Sequence, residues 1–79
     1  MIVHQDAEAV RRELATQVRD EMRAHNLSGE TVADTISLCK DRIAKAFVKA
    51  RLCPKDMNSN HKRIVAGYAE AVANDLHAA

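Results

Sequence analysis

The interpretation of the chain starts from residues 27–48, which read LSGETVADTISLCKDRIAKAFV. Ser28 is a favourable N-cap for a short helix over residues 29–36, which carries apolar residues along one side. A turn is expected at residues 37–39, and a second helix from residue 40 to about 50 or 52. Two short helices joined by a turn of about three residues make up the helix-turn-helix unit.

The spacing of small and apolar residues in this stretch resembles the helix-turn-helix of the phage repressor and Cro class of transcriptional regulators. The matching positions are Leu27, Ser28, Val32, Ala33, Ile36, Leu38, Ile43 and Ala46. Two positions depart from the pattern of that class. Ser37 stands where a turn glycine is usual, and Gly29 stands where a phosphate-contacting glutamine is frequent.

The resemblance implies that the second helix enters the major groove of DNA. Its implied base-reading residues are Lys40, Asp41, Ala44 and Lys45. Lysine can donate to guanine, aspartate can accept from cytosine N4, and alanine can contact the thymine methyl group. The implied contacts to the DNA backbone are Ser28, Cys39, Arg42, Lys49, Lys55 and Asn58.

The distribution of charge is more informative than the net charge of +1. Positive charge is concentrated in residues 40–63, where Asp41 and Asp56 are the only acidic residues. The basic residues there are Lys40, Arg42, Lys45, Lys49, Arg51, Lys55, Lys62 and Arg63. Such a segment suits phosphate contacts, because neutralising phosphates releases condensed counterions. The alternative is a solvated basic surface on an ordinary helical domain.

We expect a single all-α domain over residues 1–79, with four or five helices around one core and the helix-turn-helix in the middle. The chain contains 2 Gly, 1 Pro and no Trp, which favours helices over strands. Residues 1–6 are expected to be a frayed lead-in. A scaffold helix is predicted over residues 7–25, and a last helix over residues 61–76, because apolar residues recur there at intervals of three and four.

The last helix carries a stripe long enough to cover the bundle and still offer apolar surface to a second copy. We therefore expect a homodimer, with Tyr68, Val72 and Leu76 at the interface. Dimerisation would also compensate for the small size of the domain, which buries only about 60 to 65% of its unfolded surface. Two copies would read two DNA half-sites about one helical turn apart.

No cofactor, metal site or enzymatic activity is predicted. Cys39 and Cys53 have no neighbouring Cys or His at zinc-binding spacing, and the chain has no Gly-rich phosphate loop. Cys39 precedes the predicted second helix, where a thiolate would be favoured, although a tolerated thiol is the simpler interpretation. No apolar run is long enough to span a bilayer and no export signal begins the chain, so we expect a cytoplasmic protein.

Two functional classes follow from the sequence. The first is a sequence-specific double-stranded DNA-binding transcriptional regulator, a repressor of phage or mobile-element type that binds its operator as a dimer. The second is a small helical protein–protein interaction module, such as an inhibitor or adaptor, that does not bind DNA. The basic segment separates them, since a regulator needs Lys45 for affinity whereas an adaptor should tolerate its loss.

Overall fold

The computed structural model describes residues 6–78, which form three α-helices of 18 residues each. The helices are α1 (Ala7–Ala24), α2 (Val32–Lys49) and α3 (Ser59–Leu76), and each packs against the other two. The prediction of an all-α domain is confirmed, with three helices in place of four or five. Residues 1–5 of the expected lead-in lie outside the described residues. Asp6, the last residue of that expected lead-in, is the N-cap of α1.

The predicted scaffold helix corresponds to α1. The Asp6 carboxylate accepts a hydrogen bond from the Glu8 N–H at 3.1 Å, which satisfies one of the free donors at the helix N-terminus. At the other end, Asn26 adopts a left-handed conformation with φ of 53°. The Leu27 N–H then donates to the Met22 carbonyl at 2.9 Å. This is the Schellman termination, and it turns Leu27 back towards the core.

The predicted helix-turn-helix is not formed, because residues 37–39 lie inside the continuous helix α2. No Gly or Pro interrupts residues 32–49. The Ser37 hydroxyl donates to the Ala33 carbonyl at 3.4 Å, as a serine within a helix commonly does. Four residues spaced by four form one buried stripe along α2, and they are Thr35, Cys39, Ile43 and Phe47. A turn at Cys39 would break this stripe and expose its apolar residues.

The N-cap of α2 is Thr31 rather than the predicted Ser28. The Thr31 hydroxyl accepts a hydrogen bond from the Asp34 N–H at 3.1 Å, and Asp34 places negative charge in the first turn, where it complements the helix dipole. Ser28 lies in the preceding connection. Gly29 next to it is required by packing, because a Cβ atom there would come within 2.6 Å of the Asp34 Cβ.

The connection between α2 and α3 repeats the termination seen after α1. Arg51 is left-handed with φ of 61°, and the Leu52 N–H donates to the Phe47 carbonyl at 2.9 Å. The next helix begins with a reciprocal cap. The Asn58 side chain accepts from the His61 N–H at 2.9 Å, while His61 Nδ1 accepts from the Asn58 N–H at 3.3 Å.

The core is built mainly of small and medium side chains around one aromatic ring. Phe47 is 1% exposed and meets Tyr68 edge to face, with the ring centroids 5.7 Å apart. Thr35 is the buried polar residue of this core. Its hydroxyl accepts from the Gly29 N–H and donates to the Thr31 carbonyl, both at 2.9 Å, and His77 Nε2 lies 2.6 Å away. The chain beyond α3 is thereby attached to the start of α2.

Candidate lysine groove

The C-terminal half of α2, the connection after it and the first turns of α3 enclose a shallow groove on the surface. Its floor is formed by Ala44, Val48 and Met57, with the buried Val65 at one end. Two adjoining depressions share Asp41, Ala44 and Met57 and therefore form one continuous feature. We call this feature the lysine groove.

Every lysine in the chain lines this groove. The five positions are Lys40, Lys45, Lys49, Lys55 and Lys62. Asp41 is the only acidic residue among the lining residues, and its carboxylate lies 3.2 Å from the Lys45 ammonium group. Both side chains of this pair are largely exposed, so the pair contributes little to stability. Within residues 6–78 the remaining lysines form no ion pair.

Several arginines, in contrast, connect helices to each other. Arg19 of α1 contacts Asp75 of α3 at 3.0 Å and also Asp20, and the hydrogen bonds to these two carboxylates raise its pKa. Arg42 of α2 reaches Glu21 of α1 at 3.8 Å. Arg42, which the sequence assigned to the DNA backbone, therefore lies towards α1. Within residues 6–78, seven lysine and arginine side chains form no ion pair. Four of them are lysines of the groove, and the others are Arg11, Arg51 and Arg63.

The structure brings together all four predicted base-reading residues. Lys40, Asp41, Ala44 and Lys45 line the groove, and Lys49 and Lys55 from the predicted backbone contacts line it as well. The other predicted backbone contacts do not join them. Ser28 precedes the opposite end of α2, and the Asn58 side chain is engaged in capping α3.

Cys39 is a clear departure from the sequence-based prediction. It is fully buried, with its sulfur 3.7 Å from that of Met22, so it does not reach a surface where a phosphate would lie. Burial raises the pKa of its thiol, and the nearby charge of Arg42 opposes that shift only in part. The expectation that a helix N-terminus would favour a thiolate at Cys39 is wrong, because Cys39 lies in the middle of α2.

The residues predicted to form a dimer interface pack mostly within the core of the monomer. Val72 is 6% exposed and belongs to the core, and Tyr68 packs against Phe47. Leu76 is half-buried against the core. Ile64, which the sequence did not single out for dimerisation, is the large apolar residue of α3 that remains 36% exposed.

Sequence reasoning did not assign four residues of the groove to a site, although one of them, Lys62, belongs to the basic segment. These residues are Val48, Met57, Lys62 and Val65. Val48 follows Ala44 at helical spacing, so the predicted helix from residue 40 to about 50 already placed both side chains on one side. Met57 lies in an irregular connection, where no periodic pattern assigns a side chain to a surface.

Among the described residues, no three His, Cys, Asp or Glu side chains converge in a way that would hold a metal ion. None of the three helices is both long and apolar enough to cross a membrane. In comparisons with known proteins, no family model, no curated protein and no solved structure matches the chain.

Proposed function

We propose that this protein is a small helical interaction module whose lysine groove binds an acidic, amphipathic segment of a partner protein. The observation that carries the proposal is the pairing of an apolar floor with a rim of five lysines, of which only Lys45 has an ion-pair partner among the described residues. An exposed lysine rim alone would suit any anion. Lys45 belongs to this rim, so its loss would weaken the binding of either partner and does not by itself separate an adaptor from a DNA-binding regulator. The floor of Ala44, Val48 and Met57 adds a requirement for apolar side chains in the partner.

The dimensions of the groove suit a helical segment. Lys40 and Lys49 mark its length along α2, which is about 14 Å at 1.5 Å per residue. A partner helix of two to three turns would place apolar side chains at intervals of three and four on the floor and carboxylates opposite the lysines, as in other helix-in-groove complexes. The lysine charges would also accelerate encounter with an acidic partner.

Double-stranded DNA is the second candidate, and the concentration of every lysine on one surface favours it. These lysines could neutralise phosphates, and Lys40, Asp41, Ala44 and Lys45 remain available as base readers on a single helix. DNA binding in this form would not use a helix-turn-helix. It ranks second because DNA phosphates would leave Val48 and Met57 without a partner. If the protein binds DNA in this way, regulation of transcription from two paired half-sites is the function that we would expect.

Two parallel selections on the purified protein distinguish the candidates. One uses a displayed library of random peptides of about 15 residues, the length of a helix of about four turns, and the other a pool of random DNA duplexes. Each is run at low and at near-physiological salt, because non-specific charge attraction is lost as salt rises. We expect enrichment of peptides rich in Asp and Glu with apolar residues at intervals of three and four. An enriched duplex motif with no enriched peptide would replace this proposal by the second candidate.

A further inference from the structure

The outward side of α3 is a second surface, separate from the lysine groove. Its exposed residues recur at intervals of three and four, and they include Arg63, Ile64, Gly67, Glu70, Ala71 and Asn74. A cleft of about 510 Å³ separates this side from the first turns of α1, with Ile64, Gly67, Tyr68 and Ala71 forming its apolar part. We call these α3 residues the outer face of α3.

Gly67 lies near the centre of the outer face and is not explained by the fold of the monomer. A Cβ atom built there would meet nothing within 4 Å. Glycine weakens the interior of a helix relative to alanine, so within the monomer the position would be better occupied by alanine. A glycine on an exposed helix face does allow the backbone of another helix to approach closely.

The charged residues on either side of Gly67 indicate which kind of helix would pack against the outer face of α3. Arg63 lies four residues before Gly67 and Glu70 three residues after it, and both are exposed. Neither forms an ion pair within residues 6–78. When two such helices cross antiparallel near Gly67, Arg63 of each copy faces Glu70 of the other. A parallel arrangement would instead place like charges together.

We infer that a second copy of this chain docks on the outer face of α3, with the two α3 helices crossing antiparallel at Gly67. Ile64 of each copy then lies against Gly67 and Ala71 of the other, which covers a large apolar side chain exposed in the monomer. The interface is isologous, so each contact occurs twice. It is formed by a single helix face of each copy, so we expect a weak and reversible association, as for interfaces at the low end of the size range.

This inference is independent of the proposed function and replaces the interface expected from the sequence. Val72 is already buried within the monomer, so it has little surface left for a partner. The outer face lies beside Tyr68, which lines the cleft and is the one predicted dimer residue adjacent to it.

Sedimentation equilibrium over a range from micromolar to millimolar protein tests the inference. We expect a concentration-dependent monomer–dimer equilibrium for the unmodified protein. Ile64→Asp should weaken dimerisation at least tenfold. Leu38→Asp is the matched control, because Leu38 is an equally large apolar side chain, 43% exposed, on α2, and dimerisation should survive that change. A monomer at every concentration, or equal losses in both variants, would overturn the inference.

Further substitutions distinguish loss of the dimer interface from a general destabilisation of α3. Gly67→Ala should raise the thermal stability of the dilute monomer and weaken the dimer, because the added methyl group strengthens the helix but keeps the two backbones apart. Arg63→Glu should weaken the dimer, and Arg63→Glu combined with Glu70→Arg should restore it. A Gly67→Ala protein that dimerises as well as the unmodified protein, or a double variant no better than the single one, would overturn the proposed crossing.

Discussion

At the scale of single residues, Arg51 holds a conformation that its side chain disfavours. Its φ of 61° ends α2 in the left-handed region, which glycine adopts without the clash between Cβ and the carbonyl oxygen. Asn26 performs the same task after α1 at φ of 53°, and asparagine tolerates that region better than most residues. An asparagine at a helix end is a usual sign of left-handed termination, whereas an arginine gives no such indication.

Arg51→Gly should therefore stabilise the protein by about 0.5 to 1 kcal/mol, since it removes left-handed strain that exceeds the added freedom of the unfolded chain. Chemical denaturation measures the change in the free energy of unfolding. Arg51→Ala is the control, because it removes the same charge and keeps the Cβ atom. If the alanine variant gains as much as the glycine variant, relief of charge repulsion rather than backbone strain is the cause.

The two cysteines are expected to differ sharply in reactivity. Cys39 is fully buried and Cys53 is half-buried, and the thiolate is the form that reacts with alkylating agents. Burial raises the pKa of Cys39 above its ordinary value of 9.0. A buried neutral thiol therefore contributes its full stabilisation to the folded protein when the pH is below 9.0. This contribution is lost as the pH rises through the higher pKa of Cys39 in the folded protein.

Brief treatment of the native protein with iodoacetamide near pH 8 should label Cys53 and leave Cys39 largely unmodified. Peptide mass spectrometry gives the extent of labelling at each site. In denaturant the two cysteines should react at similar rates, which controls for intrinsic differences. Rapid labelling of Cys39 in the native protein would show that its position in α2 is not buried.

At the scale of elements, the sequence predicted α1 and α3 but not α2. Apolar residues at regular helical intervals identified the first and last helices, because packing of one face determines where such helices form. In residues 27–48 the same periodicity was present in Thr35, Cys39, Ile43 and Phe47. The small and branched residues of the same stretch also match the spacing of a helix-turn-helix, and that match predicts a turn where the periodicity predicts a helix. A local motif does not exclude a continuous helix when no glycine or proline forces a turn.

Substitutions at Ser37 test the continuity of α2. In a helix interior, Ser37→Ala should stabilise the protein by about 0.5 kcal/mol and Ser37→Gly should destabilise it by a similar amount. In a turn that favours positive φ, the glycine variant would instead be the more stable of the two. Thermal or chemical unfolding of the two variants gives the order directly, and a more stable glycine variant would contradict a single helix.

The lysine groove shows which part of a binding surface a sequence can predict. Lys40, Asp41, Ala44 and Lys45 line one groove, because side chains on a helix keep their spacing whether or not a turn precedes them. Their expected role in reading DNA bases depended on a helix-turn-helix. Because residues 37–39 lie inside α2, that motif no longer supports the role. Met57 enters the groove from an irregular connection. Its position depends on how α3 packs on α2, which no local pattern encodes.

At the scale of the whole molecule, the lysines and several of the arginines lie in different surroundings. Arg19, Arg23 and Arg42 contact acidic side chains on another helix, whereas the lysines surround a groove that contains one carboxylate. A partner bound in the groove would stabilise the folded state by mass action, to an extent set by the partner's concentration and affinity. Both proposed surfaces are formed on this one bundle.

The most direct test of the central claim is the affinity of the best selected acidic peptide for three variants, measured by fluorescence anisotropy at near-physiological salt. Val48→Asn removes apolar character from the floor, Lys45→Ala removes charge from the rim, and Arg12→Ala removes the same charge from an exposed site on α1.

We expect the first two variants to lose about tenfold in affinity, or about 1.4 kcal/mol each, and the third to bind like the unmodified protein. Circular dichroism establishes that all three are folded. If Lys45→Ala and Arg12→Ala lose equally while Val48→Asn binds normally, attraction to overall charge explains the binding, and the lysine groove is not the site.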